Sequence, residues 1–240
     1  MHPILFKIGS ITIYSYGVMI ALAVLVCAWA LSKDAKTYKI SSDVIFDLMF
    51  WTVAWGMLGA RIFYVFLYWD YFKQNLLEII MIQHGGLAWQ GGLVGGLGAG
   101  IWFVHRKKLP LRFTLDLVAP YVALGQAIGR IGCFLNGCCY GRPAAWGIYF
   151  PVHQAKLIPT QLFEAGGLFL AFLILKYVQT KPHRVGMIFI LYLWLGAIER
   201  FIVEFFRADH DNLWFGLSLF QYTSLVIFIV GLVLLRRFRK

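Results

Sequence analysis

The class of fold is decided by the stretch ITIYSYGVMIALAVLVCAWAL, residues Ile11–Leu31, which contains no charged residue. A helix that crosses a membrane needs about 20 predominantly apolar residues, so this stretch predicts a transmembrane helix. It is longer than the apolar part of a signal peptide, about 7–15 residues, and Lys33, Lys36 and Lys39 follow it. We therefore expect it to be kept as the first helix.

The composition of the whole chain agrees with this first stretch. Hydrophobic residues make up 60% of the 240 residues and charged residues only 14%, with a mean hydropathy of +0.73. Soluble domains are roughly half apolar and a quarter charged, so a soluble protein is excluded. We expect an all-α membrane protein, a single integral membrane domain over residues 1–240.

Hydropathy predicts seven spans, with the longest connection between the fourth and the fifth. That connection, Asn136–Ile158, carries Gly, Pro, Trp and Tyr, and Trp and Tyr favour the membrane interface. It therefore predicts a small cap on the bundle. The seven spans are Ile11–Leu31, Val44–Tyr68, Leu87–His105, Phe113–Leu135, Pro159–Gln179, Val185–Phe206 and Phe215–Leu235.

The net charge of +11, from 22 basic and 11 acidic residues, would suggest nucleic acid binding in a soluble protein. In a membrane protein, basic residues mark the cytoplasmic side instead, so we expect no nucleic acid partner. Four basic clusters fall on one side of an alternating seven-helix chain, which predicts an external N-terminus and a cytoplasmic C-terminus. The clusters are Lys33/Lys36/Lys39, Arg106/Lys107/Lys108/Arg112, Lys176/Lys181/Arg184 and Arg236/Arg237/Arg239/Lys240.

A glycine-rich stretch, HGGLAWQGGLVGGLGAG over His84–Gly100, opens the third span. The interpretation that we favour is close helix packing through pairs such as Gly91/Gly95 and Gly92/Gly96. A second interpretation is that the bare backbone allows a lipid headgroup to approach. A nucleotide-binding loop is not expected, because no Gly-Lys-Ser/Thr follows.

Four arginines, Arg61, Arg130, Arg200 and Arg207, lie in or at the outer ends of predicted spans. An arginine inside a bilayer costs roughly 3 kcal/mol on insertion scales, so these residues need partners or a function. Arg200, Glu204 and Arg207 share one helix face by their spacing. One interpretation is a buried salt-bridge network that fixes the helices.

The other interpretation is a cavity that binds a phosphate headgroup, since guanidinium groups bind phosphate in bidentate fashion. The four arginines against Glu164, Glu199 and Glu204 leave one surplus positive charge. A transporter is the main alternative from another class, because intramembrane Arg/Glu pairs also mark ion paths. The polar groups collect toward one leaflet, however, which favours a site that lipid can enter.

The run GRIGCFLNGCCYGRP, Gly129–Pro143, resembles the signature of bacterial prolipoprotein diacylglyceryl transferases. Further similar stretches stand in the family's order, and the resemblance covers nearly the whole chain. They are Tyr16-Gly17, Gly59-Ala60-Arg61, GGLAWQGGLVGG on the third span, PTQLFE at Pro159–Glu164 and ERFIVEFFR at Glu199–Arg207.

The resemblance implies an enzyme of the bacterial plasma membrane that uses no cofactor. Such enzymes move the diacylglyceryl group of phosphatidylglycerol to the lipobox cysteine in the signal peptide of a preprolipoprotein, forming a thioether and releasing glycerol phosphate. A sister enzyme with another acceptor is the alternative within this fold. The catalytic residues implied are Arg130, Arg200 and Glu204, and the substrate-binding residues are Arg130, Arg200, Arg61, Tyr16, Asn136, Gln90, Glu164 and Arg207.

Two features depart from the family pattern. Gln90 stands where many members have a histidine proposed as a base; either His84 replaces it, or positive potential near the arginines activates the substrate thiol. Cys133 and Cys138 stand where some members have an asparagine and an acidic residue, and Cys139 follows directly. Their spacing is unlike that of a zinc site, so we expect packing or an extracytoplasmic disulfide and no metal.

Overall fold

The computed structural model describes residues 1–9, 11–81, 85–208 and 214–239, and these form eight α-helices and two antiparallel hairpins. Short 3-10 helices cover Leu76–Ile79 and Trp214–Gly216. The strands are β1 Ile4–Ile8, β2 Ile11–Tyr14, β3 Pro143–Phe150 and β4 Ala155–Leu157. The α-helices are α1 Ser15–Thr37, α2 Ser42–Leu67, α3 Trp69–Phe72, α4 Trp89–Arg106, α5 Leu111–Asn136, α6 Thr160–Gln179, α7 Met187–Glu204 and α8 Leu219–Arg239.

The helices have the character of a membrane protein. Within the described residues, α1, α2, α5, α6 and α8 are long and apolar enough to cross a bilayer. Large apolar side chains face outward, among them Phe66 and Val94, which are 76% and 73% exposed. The predicted class, an all-α membrane protein, is confirmed at this level. Helices α4 and α7 occupy the third and sixth predicted spans but are not among these five. Helix α4 contains six glycines, and helix α7 contains three charged residues.

The start of the first predicted span is wrong. Ile11–Tyr14 form strand β2, which pairs with β1, and helix α1 begins only at Ser15. The sequence ITIY is rich in β-branched and aromatic residues that suit strands, and Gly9 supplies the positive φ of +60° at the turn. Hydropathy does not separate such an apolar strand from the helix that follows it.

The chain divides into two compact units, of which one covers Ser32–Thr114. In this unit α2 and α4 pack backbone to backbone. A Cβ placed on Gly59 would lie 2.5 Å from the carbonyl oxygen of Gly91, and a Cβ on Gly95 would clash with the Trp55 carbonyl. The predicted small-residue packing of the glycine-rich stretch is therefore confirmed.

The other unit consists of Met1–Leu31 and Leu115–Lys240. Its core includes Ala119 and Ala123 of α5, packed with Leu175 and Ile188. Asp116, a buried acid of α5, stabilises the start of α7: its Oδ1 accepts a hydrogen bond of 2.8 Å from the Phe189 amide. Because the first amides of a helix lack partners within it, this carboxylate fixes where α7 begins relative to α5.

Candidate active site

One carboxylate, Glu164 on α6, lies at the centre of the charged cluster. Its Oε2 lies 2.8 Å from Arg130 Nε, and its Oε1 lies 2.6 Å from Arg200 Nη1 and 3.3 Å from Arg207 Nη1. The Glu164 side chain is only 1% exposed. The cluster thus joins α5, α6 and α7 through a single buried acid, and three of the four arginines singled out in the sequence are brought together.

A second carboxylate, Glu204, extends the cluster along α7. Its Oε2 lies 2.7 Å from Arg200 Nη2 and 3.9 Å from Arg207 Nε. Arg200 therefore bridges two acids, and the predicted placement of Arg200 and Glu204 on one face of α7 is confirmed. The third member of the predicted stripe is not on this face: α7 ends at Glu204, and Arg207 contacts the same acids from the segment that pairs with Gly141. Two fixed partners hold the Arg200 guanidinium in one orientation.

The three arginines differ in how much of their surface is accessible. The side chains of Arg130 and Arg200 remain 29% and 19% exposed, whereas Arg207 is 6% exposed. The carboxylates of Glu164 and Glu204 are buried beneath them. Glu199 also interacts with the cluster, so three arginines face three acids and the cationic character comes from exposure: the accessible side chains are those of Arg130 and Arg200, which can receive an anion.

The segment that follows α5 is hydrogen-bonded to the first turn of α6 and to Arg207. Thr160 Oγ1 donates a 2.8 Å hydrogen bond to the Cys139 carbonyl, and Gln161 Nε2 donates one of 2.6 Å to the Cys138 carbonyl. Both donors are fully buried in the first turn of α6, one turn before Glu164. The Gly141 backbone also pairs with Arg207. The segment from Cys138 to Gly141 therefore positions both Glu164 and Arg207.

Helix α5 ends in a Schellman motif, a backbone turn that satisfies its last carbonyls. Gly137 has a φ of +80°, its amide donates to the Phe134 carbonyl, and the Cys138 amide donates to the Cys133 carbonyl at 3.2 Å. This turn places Cys138 beside Cys133, although five positions separate them in the sequence.

Cys139 completes a cluster of three thiols, with all three sulfur atoms within 4.8 Å of one another. Hydrogen bonds from the Cys133 and Cys138 thiols lower the pKa of the Cys139 thiol, and the charges of Arg207 and Arg130 add to this effect. The spacing did not predict this cluster. The Asn136-Gly137 pair was the available signal, because Gly at this position favours a Schellman turn.

Tyr16 and Asn136, both predicted to contact substrate, belong to the same unit as the cluster. Tyr16 lies in the first turn of α1, is 43% exposed, and packs toward Gly132 of α5. Asn136 is the last residue of α5 and its side chain hydrogen-bonds with Cys138. Electrostatic interaction links Tyr16 with Arg130.

Arg61 and Gln90 lie in the other unit. Arg61 is 5% exposed, and its guanidinium donates to backbone carbonyls, including Ile79 and Gly86 at 2.9 Å each. These contacts hold a loop, so we infer a structural role for Arg61 in place of the substrate-binding role that the resemblance implied. Gln90 is exposed at the second position of α4. His84, the alternative base, lies outside the described residues.

Glu199 was counted among the acids near the arginines but was not predicted as a site residue. It lies on α7 and faces α6. Its Cγ would be 2.8 Å from a Cβ at Gly167, so that glycine makes room for it. Its Oε1 is buried and has no hydrogen-bond partner among the described residues. Electrostatic interaction couples Glu199 to Glu164 and to the arginines of the cluster.

Two residues of the site were missed in the sequence. Ser218 Oγ donates a 2.6 Å hydrogen bond to Glu204 Oε1, and the ring of Phe220 lies 4.6 Å from the Arg200 guanidinium carbon. The sequence SLFQ carried a signal, because Ser-x-x-Gln is a capping box. Gln221 Oε1 indeed accepts from the Ser218 amide at 2.9 Å, which fixes Ser218 at the start of α8.

The fold and the cluster define a helical membrane protein whose partly exposed arginines are held by buried acids. The comparison with known families makes this specific. The family model of prolipoprotein diacylglyceryl transferase matches residues 3–237. The chain belongs to this family, a family of transferases, so the transporter alternative is set aside.

Similar proteins cover nearly the full length of the chain. A protein of Finegoldia magna is 38% identical over 242 residues, 100% of this chain and 97% of its own. Proteins of Staphylococcus xylosus and Listeria innocua are 34% and 33% identical, covering 98% and 99% of this chain and 88% and 90% of their own. All three are named phosphatidylglycerol–prolipoprotein diacylglyceryl transferase.

Proposed function

We propose that the protein transfers the diacylglyceryl group of phosphatidylglycerol to the lipobox cysteine of a preprolipoprotein signal peptide. The cysteine sulfur, as thiolate, attacks the glyceryl carbon that carries the phosphodiester oxygen. A C–S bond forms and the C–O bond breaks, with both electrons leaving on oxygen. The leaving group is glycerol phosphate, and the thiol proton passes to solvent.

The observation that carries this proposal is the partial exposure of Arg130 and Arg200 above buried acids. Breaking the C–O bond turns a phosphodiester with one negative charge into a phosphate monoester with additional negative charge. Fixed cations next to that phosphate stabilise the transition state more than the ground state. Arg130 and Arg200 therefore bind the headgroup and stabilise the leaving group.

The acids orient the arginines in this mechanism. Glu164 and Glu204 each contact Arg200, so its guanidinium needs little reorganisation when the phosphate arrives. Arg207 is buried and supports the other groups electrostatically. Tyr16 and Asn136 are proposed to contact the headgroup or the peptide, while Gln90, in the other unit, stays a substrate-binding residue predicted from the resemblance.

The substrate thiol must become a thiolate to react well. Glutamine has no titratable group at neutral pH, so Gln90 cannot serve as the base. We propose that the positive potential of Arg130 and Arg200 favours the thiolate, which makes a dedicated base unnecessary.

For the arrangement in the membrane, we propose seven crossings in a single domain, with α4 and α7 spanning in addition to the five apolar helices. The distribution of basic residues supports an external N-terminus and a cytoplasmic C-terminus in the bacterial plasma membrane. The segment 136–158, which contains the β3–β4 hairpin, would form the extracytoplasmic cap.

The experiment that tests this function uses the purified full chain in vesicles containing phosphatidylglycerol, with a synthetic lipobox peptide. We expect the peptide to gain the mass of one diacylglyceryl group on cysteine, with equimolar release of glycerol phosphate. Vesicles without phosphatidylglycerol and a peptide with serine in place of cysteine are the controls. Absence of the mass gain from active wild-type protein would contradict the proposal and favour a sister enzyme with another acceptor.

A further inference from the structure

The three-thiol cluster of Cys133, Cys138 and Cys139 has no role in the proposed transfer. All four cysteines of the chain are free thiols, and these three sulfur atoms lie within 4.8 Å of one another. A zinc ion with Zn–S bonds of about 2.3 Å holds its sulfur ligands about 3.8 Å apart in a tetrahedron. The separations between the sulfur atoms therefore need to shorten by at most about 1 Å for the three to surround one ion.

The backbone that carries these thiols is fixed, which favours a built site over chance proximity. The Schellman turn at Gly137 sets Cys138 beside Cys133, and hydrogen bonds from Thr160 and Gln161 hold the carbonyls of Cys139 and Cys138. Cys139 itself has a φ of +62°, an unusual conformation for a residue with a side chain.

The surroundings suit an anionic complex that an ion can reach. Three thiolates on a divalent ion carry one net negative charge, and Arg207 and Arg130 interact electrostatically with Cys139. Cys133 is buried, while Cys138 and Cys139 are partly exposed. Thiolate ligands select soft ions such as Zn²⁺ and Cu⁺ over Mg²⁺ or Ca²⁺.

We propose that Cys133, Cys138 and Cys139 form a binding site for one thiophilic metal ion, Zn²⁺ or Cu⁺, with three thiolate ligands. On binding, each thiol releases its proton to solvent and each sulfur donates an electron pair to the ion. The expectation of no metal rested on spacing along the chain alone. The turn at Gly137 shortens that spacing in three dimensions. A disulfide would use only two of the three sulfurs and leave the third unexplained.

The test measures metal binding directly, so it does not depend on transfer activity. The full chain is purified in detergent, reduced, freed of metal with a chelator and titrated with Co²⁺, a spectroscopic substitute for Zn²⁺. We expect one Co²⁺ per chain, sulfur-to-cobalt charge-transfer absorption, and displacement of Co²⁺ by Zn²⁺. Cys133→Ser, Cys138→Ser and Cys139→Ser should each weaken binding by ~100-fold or more, because each removes a direct ligand.

Cys27→Ser is the matched control. Cys27 is a buried thiol of α1 that donates to the Tyr121 carbonyl at 3.2 Å, and its loss should leave Co²⁺ binding unchanged. The proposal is overturned if the reduced wild-type protein gives no charge-transfer band, or if binding survives in the three cluster variants. Equal loss of binding in Cys27→Ser would also overturn it, since the effect would then be a general loss of folding.

Discussion

Glu164 Oε1 lies 2.6 Å from Arg200 Nη1, and this contact joins α6 to α7 at the centre of the charged cluster. The acid is buried, whereas the arginine keeps 19% of its side-chain surface exposed. One residue therefore supplies the fixed counter-charge and the other the accessible cation. The predicted salt-bridge network is present, and the arginine side chains in it stay partly exposed; binding of an anion there is the proposal that the experiments below test.

Replacing Arg130 or Arg200 by lysine keeps the charge but removes the planar fork that binds phosphate in bidentate fashion. We expect transfer to fall by ~100-fold in each variant, the usual effect of losing one donor to a developing anion. The measurement is the initial rate of peptide modification. Arg184→Lys, at an exposed arginine before α7, is the control and should keep the wild-type rate.

Glu164→Gln removes the shared carboxylate while preserving its shape. Breaking a buried ion pair by removing one partner costs about 3–5 kcal/mol, so we expect a clear fall in thermal stability in detergent together with loss of transfer. Asp70→Asn, which breaks the exposed pair with Lys73 at 2.6 Å, should change neither property. A Glu164→Gln protein of wild-type stability would argue against a central role for this acid.

Arg61→Lys tests the structural role inferred for Arg61. Lysine cannot reach the several carbonyls that the guanidinium binds, including those of Ile79 and Gly86. We expect faster limited proteolysis after Glu78, with transfer by the intact fraction reduced less than in Arg200→Lys. Unchanged proteolysis combined with abolished transfer would instead make Arg61 a substrate-binding residue.

The sequence predicted the helical class, the approximate position of every long helix and the glycine contacts between α2 and α4. It also predicted that Arg200 and Glu204 share a face of α7, since helical spacing decides that. It placed Arg207 on the same face, whereas the helix ends at Glu204. It did not predict that Arg61 binds loop carbonyls, because those partners lie 17–25 positions away along the chain. The sequence did not predict the thiol cluster, because the cluster depends on the backbone conformation of two residues, Gly137 and Cys139, which both have a positive φ.

Gly59→Ala tests the contact between α2 and α4. The added methyl would lie 2.5 Å from the Gly91 carbonyl oxygen, and overpacking of this kind costs roughly 1–3 kcal/mol. We expect a lower melting temperature in detergent. Gly98→Ala is the matched control on α4, because nothing lies within 4 Å of its added methyl, and alanine favours the helix. Equal melting temperatures for the two variants would contradict the close packing.

The central claim is that the partly exposed arginines Arg130 and Arg200 act on the anionic phosphate of the lipid. The most direct measurement compares transfer from phosphatidylglycerol with transfer from its neutral methyl phosphotriester, in the wild type, Arg130→Ala and Arg200→Ala. We predict that the wild type strongly prefers the anionic lipid and that each variant loses most of this preference. The same preference in all three proteins would contradict the claim, because the arginines would then not contact the charge.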